Sequence, residues 1–178
     1  MPGGSLHNQL GDSALLKSRI SSSLARGMEK LRLLTETRGK TFVFRHEGNP
    51  RVAMSATDFE LIMTNLLHNA IKYGHSGTTI KIAYATRWPN LTVDVTSYGI
   101  PIPPVEQERI FDPGYRTSEA CGIEFTAAGL GLCVARRAAE RYGGHLFVRA
   151  SEPVESWGSQ ATYRSTFRLI VRCEGEQP

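Results

Sequence analysis

The sequence predicts an α/β two-layer sandwich: a mixed, mostly antiparallel sheet with helices on one face. Three observations lead there. The chain has 178 residues, 40% hydrophobic and 21% charged. That is ordinary globular composition, with enough length to bury one core. Helical and strand periodicities are interspersed along the chain, which joins helices and sheet in one unit. Finally, the strand patterns come mostly in pairs across short turns, the arrangement of hairpins.

The elements follow in order. Residues 1–11 are Gly-rich and polar and are expected to be flexible, as is the tail 174–178; residues 12–173 form a single domain. From Asp12 to about Arg38, the apolar residues Leu15, Leu16, Ile20, Leu24, Met28, Leu31 and Leu34 recur at spacings of three and four. This is a helix, stopped at Gly39. Strands are expected over Thr41–His46 and Arg51–Met54, around a Gly-Asn-Pro turn at 48–50. Thr57-Asp58-Phe59-Glu60 has the form of a capping box and opens a helix to about Tyr73, stopped by Gly74 and Gly77. Thr79–Thr86 and Leu91–Thr96 alternate and form a hairpin about Trp88-Pro89-Asn90. Residues 99–128 read as loop, with one short helix from Val105 to Phe111. A helix from Leu130 to Tyr142 ends at Gly143-Gly144. Strands His145–Ala150 and Ala161–Arg172 close the domain.

Composition narrows the function. Cys121, Cys133 and Cys173 are odd in number and lack CxxC spacing, so they read as free thiols in a reducing compartment. No apolar run reaches the length of a membrane span, and no secretory pattern follows Met1. The expected location is cytoplasmic, with no membrane contact by the domain itself; a larger membrane-anchored parent is compatible. A net charge of +4 suits phosphate binding but does not indicate nucleic acid.

Four stretches can carry chemistry. On the helix at 57–73, Asn65, His68, Asn69 and Lys72 form a polar stripe on a largely apolar cylinder. Such a stripe is either a solvated face or a set of amides and an ammonium directed at a metal and phosphates. Gly129-Leu130-Gly131-Leu132 precedes a helix, where backbone N–H groups can approach an anion; a tight turn or close packing would explain the same glycines. Ser97-Tyr98-Gly99-Ile100-Pro101-Ile102-Pro103 puts a hydroxyl at the end of a strand. Arg109 to Arg116 leads into a long polar loop, the usual form of a lid, from which Arg116 can fork onto a phosphate.

Taken in order, these stretches resemble the N, G1, F and G2 boxes of the GHKL ATPase superfamily, and most closely the catalytic ATP-binding domain of sensor histidine kinases. The resemblance covers roughly residues 13–172. It implies the Bergerat-type ATP-binding fold, with ATP between helices and a mobile lid at 112–128. By resemblance Asn69 supplies an oxygen to Mg²⁺ and Asn65 sits one turn earlier by the same phosphates. Lys72 and Arg116 contact phosphate, and with Asn65 form the catalytic set. Tyr73 packs beside the adenine or ribose. Ile102, Phe111 and Tyr115 belong to the nucleotide site, and Gly129, Leu130, Gly131 and Leu132 hold the phosphates. Thr162 resembles a late Gly-x-Thr box in an atypical context. The implied cofactors are ATP and Mg²⁺.

The G1 box departs from the common Asp-x-Gly-x-Gly: Ser97, Gly99 and Pro101 stand at the aligned positions. A hydroxyl can accept the adenine amino hydrogen bond without charge assistance, at a cost of roughly 1–2 kcal/mol. Hydrolysing relatives resemble one another in a Glu at the position of Asn65; an amide cannot act as a general base, which favours phosphoryl transfer over hydrolysis. His68 is the other conceivable base on the stripe. No histidine has the context of a phosphoacceptor: His46-Glu47 lies at a strand–turn junction and His7 at a terminus. The resemblance therefore implies a kinase domain that phosphorylates a histidine on a separate helical dimerisation domain, of the same or another kinase, and serves a response regulator indirectly. The alternatives are a degenerate nucleotide-binding or scaffold module without kinase activity, and an anti-sigma-type serine kinase. Arg136, Arg137 and Arg141 are expected on a wet helix face.

Overall fold

The computed structural model describes residues 20–46, 50–123, 128–157 and 160–175. The expected flexible N-terminus 1–11, the helix start at 12–19, the turn residues Gly48 and Asn49, part of the lid and Ser159 lie outside these residues. Helices α1 (Ile20–Lys30), α2 (Arg32–Thr37) and α3 (Ala56–Tyr73) are joined by strand β1 (Thr41–His46) between α2 and α3. Then follow β2 (Thr79–Arg87), β3 (Asn90–Gly99), helix α4 (Ser118–Ile123), helix α5 (Gly131–Glu140), β4 (His145–Trp157) and β5 (Gln160–Arg172).

The strand order is β1-β2-β3-β5-β4. Only β1 and β2 pair in parallel, because α3 lies between them in the chain; the other pairs are antiparallel. Helices α1, α3 and α5 form the second layer, and α3 lies at its centre. Phe59, Ile62, Met63, Leu66, Leu67 and Ile71 of α3 are all fully buried, each worth roughly 1.5–3 kcal/mol on removal from water. They meet Ile80, Ile82, Val93, Val95, Leu169 and Val171 from the sheet. The expected two-layer α/β sandwich is the observed architecture.

Several local expectations are corrected. The helix expected over 12–38 is broken at Leu31, giving α1 and α2. Arg51–Met54 forms no ladder strand, only an isolated bridge from Val52 to Cys173, because Pro50 and the short run leave room for one pairing. The cap of α3 lies two residues earlier than the Thr57 box: Ser55 Oγ accepts from the Asp58 N–H at 3.0 Å. Val105–Phe111 is two 3₁₀ turns, Pro104–Glu106 and Arg109–Phe111. Within the lid α4 is helical, where loop was expected. Strand β4 runs beyond Ala150 to Trp157, past a register shift between Val148 and Ala150. The three cysteines are free thiols, Cys121 exposed and Cys133 and Cys173 buried.

Two carboxylates tie the helical layer together. Glu60 on α3 binds Arg26 Nε at 2.6 Å and Lys30 Nζ at 2.5 Å on α1, and those hydrogen bonds hold it below the usual carboxylate range. Asp58 binds Arg141 at 2.7 Å and the Tyr142 hydroxyl at 2.6 Å, joining the start of α3 to the end of α5. Burial pushes Asp58 up, but the bonds from Tyr142, Ser55 and Arg141 outweigh it and leave it below its ordinary value.

Candidate nucleotide site

Residues 65, 69 and 73 recur every fourth position and share one face of α3, and that face meets the start of α5. Asn65 donates from Nδ2 to its own helix at Leu61 O, 2.9 Å away. This fixes its side chain so that Oδ1 faces α5. A Cβ at Gly131 would stand 2.8 Å from that oxygen, so glycine is needed there for close packing as well as for any anion. Asn69 and Tyr73 continue into a small cavity of about 90 Å³. Its other walls are Ile100 after β3, Ile110, the lid residues Tyr115, Arg116, Thr117 and Ala120, then Gly129, Gly131 and Leu132, and Phe167 from β5.

The end of α3 is pinned to the end of β3. Gly74 bridges Gly99, the His75 N–H donates to Tyr98 O at 2.8 Å, and the Ile100 N–H donates to Tyr73 O at 3.2 Å. A Cβ on Gly99 would fall 2.1 Å from Tyr73 O, so this approach excludes any side chain. Lys40 reinforces the junction from below. Its ammonium is buried and donates to His75 O at 2.7 Å and to Thr78 Oγ1 at 2.9 Å. Burial, aided by Arg38, lowers its pKa to about 8. Nothing in the local sequence marks Lys40; its role exists only through the loop at 74–78.

The described lid residues Tyr115, Arg116, Thr117 and Ala120 form one wall of the cavity. The Gly114 N–H donates to Gly129 O at 3.2 Å and draws the two ends of the lid together. Tyr115 donates to Glu106 at 2.8 Å and lies under the Arg109 guanidinium, 4.3 Å from the ring centre; the bond to Glu106 raises its phenol above the usual range. Thr117 and Ala120 are buried in the cavity wall, and Thr117 Oγ1 accepts from the Ala120 N–H. Arg116 donates from Nη2 to Ala120 O, while its Nε is buried with no partner among the described residues. A buried guanidinium N–H without an acceptor, beside glycines at a helix start, fits an anion such as a phosphate oxygen.

The expected residues do not all reach this cavity. Asn69, Tyr73, Tyr115, Arg116, Gly129, Gly131 and Leu132 line it, and Asn65 abuts it through Gly131. Lys72 lines a neighbouring hollow of about 470 Å³ with Arg38 and His75, which shares Tyr73 and Ile100 with the cavity. Leu130 precedes α5 and is half exposed, and Ile102 packs beside the cavity against the core. Phe111 is buried beneath the Arg136 guanidinium, 3.9 Å from the ring centre. Arg137 and Arg141 are exposed, as the wet helix face requires, Arg141 binding Asp58 from that surface; Arg136 is the correction, half-buried and donating to Leu146 O and to Glu108. Ser97 lies on the helix side of the sheet, opposite Ser165. Thr162 alternates with Arg164 and Arg168 and so belongs to the side away from Phe167 and the cavity. Ser165, two residues before Phe167 on its side, was not singled out, although that alternation was readable.

Comparison with known proteins identifies the family. The profile of the family described as histidine kinase-, DNA gyrase B- and HSP90-like ATPase matches residues 54–173. The sensor-like histidine kinase SenX3 of Mycobacterium tuberculosis is 28% identical over 183 aligned positions, covering 92% of this chain and 42% of that protein. The signal transduction histidine-protein kinase ArlS of Staphylococcus haemolyticus is 30% identical over 114, covering 64% of this chain and 23% of that protein. The chain thus spans less than half the length of these relatives. The solved mycobacterial sensor histidine kinase MprB superposes with a TM-score of 0.73 at 18% identity, over 89% of this chain and 97% of that one. Profile, relatives and fold together make the chain a member of the histidine kinase-, DNA gyrase B- and HSP90-like ATPase family, with the catalytic domains of sensor histidine kinases as its relatives.

Proposed function

We propose that the chain is the Mg-ATP-binding catalytic domain of a two-component sensor histidine kinase. In this reading it transfers the γ-phosphoryl group of ATP to a histidine on a separate helical dimerisation domain, which then serves a response regulator. The observation that carries the reading is the meeting of Asn69, Arg116 and the glycines of α5 at one cavity, with a buried Arg116 Nε lacking an acceptor.

Asn69 would hold a magnesium ion, a cation that takes few protein ligands and keeps water and phosphate oxygens. When bound, magnesium neutralises charge on the phosphates. The chain's own part is positioning and charge. Arg116 in the cavity and Lys72 from the neighbouring hollow would supply cations for phosphate oxygens, and Gly129, Gly131 and Leu132 line the cavity beside Arg116. Asn65 is a fixed amide, a group that orients but takes no proton, so the site lacks a base at that position to activate water. No helix of the described residues is long and apolar enough to cross a membrane, consistent with work in an aqueous compartment.

Calorimetry with a non-hydrolysable ATP analogue tests the reading. Binding in the micromolar to sub-millimolar range that requires Mg²⁺ is expected, and Asn69→Ala should weaken it by tenfold or more, about 1.4 kcal/mol. No binding by a folded chain at millimolar analogue would instead favour a non-catalytic module.

A further inference from the structure

The face of the sheet away from the helices is open. Along β2 the buried Ile80, Ile82 and Tyr84 alternate with Lys81, Ala83 and Ala85, none of which is buried. Exposed cations stand on this open face: Arg45 of β1, Lys81 and Arg87 of β2, and Arg172 of β5. Arg45, Arg87 and Arg172 have no ion pair among the described residues, and Lys81 donates to the neutral Tyr98 hydroxyl at 3.0 Å. The other arginines there meet carboxylates. Arg149 and Arg168 bind Asp94 at 3.0 and 2.7 Å, and Arg164 binds Glu152. Among the described strand residues the face therefore has seven cations and two carboxylates. Its excess of positive charge is larger than the +4 of the whole chain, which leaves the remainder of the molecule near neutral.

The unpaired cations are spread out. Strands lie about 4.8 Å apart, so Arg45 and Arg172, three strand spacings from each other, are separated by at least ~14 Å across the sheet. At about 3.3 Å per residue, Lys81 and Arg87 are ~20 Å apart along β2. No small anion reaches all of them. Between them lies an open trough of about 320 Å³, with Arg45 and Arg168 on its banks and Ala83, Ala85 and Thr92 in its lining. Those short side chains leave the long cationic ones standing highest, so an approaching surface meets charge first. Protein interfaces centre on packed aromatic and apolar anchors, and the trough presents none, its aromatic residue Tyr84 being buried. A planar anionic surface needs no anchor, only basic groups within a Debye length of about 8–10 Å.

We infer that the open sheet face docks this domain on an anionic lipid bilayer, held by Arg45, Lys81, Arg87 and Arg172. The contact is electrostatic and peripheral, so it needs no membrane-spanning helix. It goes against the expectation that the domain itself makes no membrane contact. The cavity lies across the sheet, beside α3 and α5, so a docked domain keeps it facing solution. Because the two sites are on opposite sides of the sheet, the inference stands apart from the nucleotide reading.

Co-sedimentation of the 178-residue chain with lipid vesicles tests it, using phosphatidylcholine alone and phosphatidylcholine mixed with one-third phosphatidylglycerol. Binding to the mixed vesicles only is expected. It should fall by about tenfold or more when salt rises from about 0.1 to 1 M, which shortens the Debye length from about 10 to 3 Å. Arg45→Glu should weaken binding by about fivefold or more. Arg137→Glu makes the same charge change at an exposed position of α5 and should alter binding by less than about twofold, since screening confines the effect to groups near the bilayer. Equal losses from the two variants would reduce the effect to net charge and overturn the docking face, as would equal binding to both kinds of vesicle. No binding to the mixed vesicles at low salt also overturns it and leaves the face to an acidic protein. Should Arg45→Glu fail to fold, Arg172→Glu takes its place.

Discussion

Asn65 and Gly131 act as a pair. The amide is fixed by its own helix at Leu61, and its oxygen occupies the space a side chain at 131 would need. Gly131→Ala should therefore displace Asn65 or the start of α5. The 2.8 Å contact is with the end of a rotatable amide, so we expect Asn65 to turn away and give up its bond to Leu61 O, a stability loss of about 0.5–1.5 kcal/mol by chemical denaturation, together with weaker nucleotide binding. Unchanged stability would mean that the two groups move apart freely. Tyr142 offers a second measurement. Its hydroxyl donates to Asp58, a half-buried carboxylate that also accepts from Ser55 and Arg141. Tyr142→Phe removes one charged hydrogen bond and should cost roughly 1.5–3 kcal/mol. It should also bring the Asp58 pKa back toward its ordinary value, readable by NMR titration.

Among the elements, α4 is the one that the proposed nucleotide binding is expected to move. It is six residues long, so its position depends on Thr117 and Ala120 packing into the cavity more than on its own helix propensity. A cavity of about 90 Å³ is well below the roughly 300–1,000 Å³ of ligand pockets. On the proposed function we expect α4 to move aside so that the cavity opens into the neighbouring hollow at Tyr73 and Ile100. Hydrogen exchange should show faster exchange at residues 118–123 on adding Mg²⁺ and an ATP analogue, while the core of α3 stays protected. Slower or unchanged exchange at 118–123 would exclude displacement of α4.

On the scale of the whole molecule, Lys40 links α2, the end of α3 and the approach to β2. Its pKa is lowered from 10.5 to about 8. Between those values the unfolded chain holds the proton that the folded chain has lost. Stability from this group therefore rises as the pH goes from 8 to 10.5 and is lowest, and flat, below 8. The difference in unfolding free energy between wild type and Lys40→Met should grow in favour of wild type across that window. Parallel curves would mean an ordinary lysine. Net charge, by contrast, says little about the site. Arg45, Arg149 and Arg168 gather about Asp94, and Lys81 and Arg164 lie on the same side of the sheet, away from the helices, so these positive charges lie across the sheet from the cavity.

The fold class and the four boxes were legible because they rest on local rules. Period 3.6 in α3, alternation in β2, β3 and β5, and the glycine before α5 are properties of neighbouring residues. The α3 cap was missed by two residues, since Thr57 and Ser55 both satisfy the same local pattern and only packing chooses between them. The lid helix was missed because Ser118–Ile123 is too short to carry a period. What the amino-acid sequence determined by itself was therefore the long helices and paired strands and the residue types at the proposed site. The tertiary structure alone decided which of those residues meet. Strand register set Ser97 against Ser165 and Thr162 on the far side, and the α3–α5 approach put Asn65 against Gly131. The loop at 74–78 buried Lys40. Each is a contact between residues distant in the chain, fixed by how the layers pack, and no local spacing encodes it.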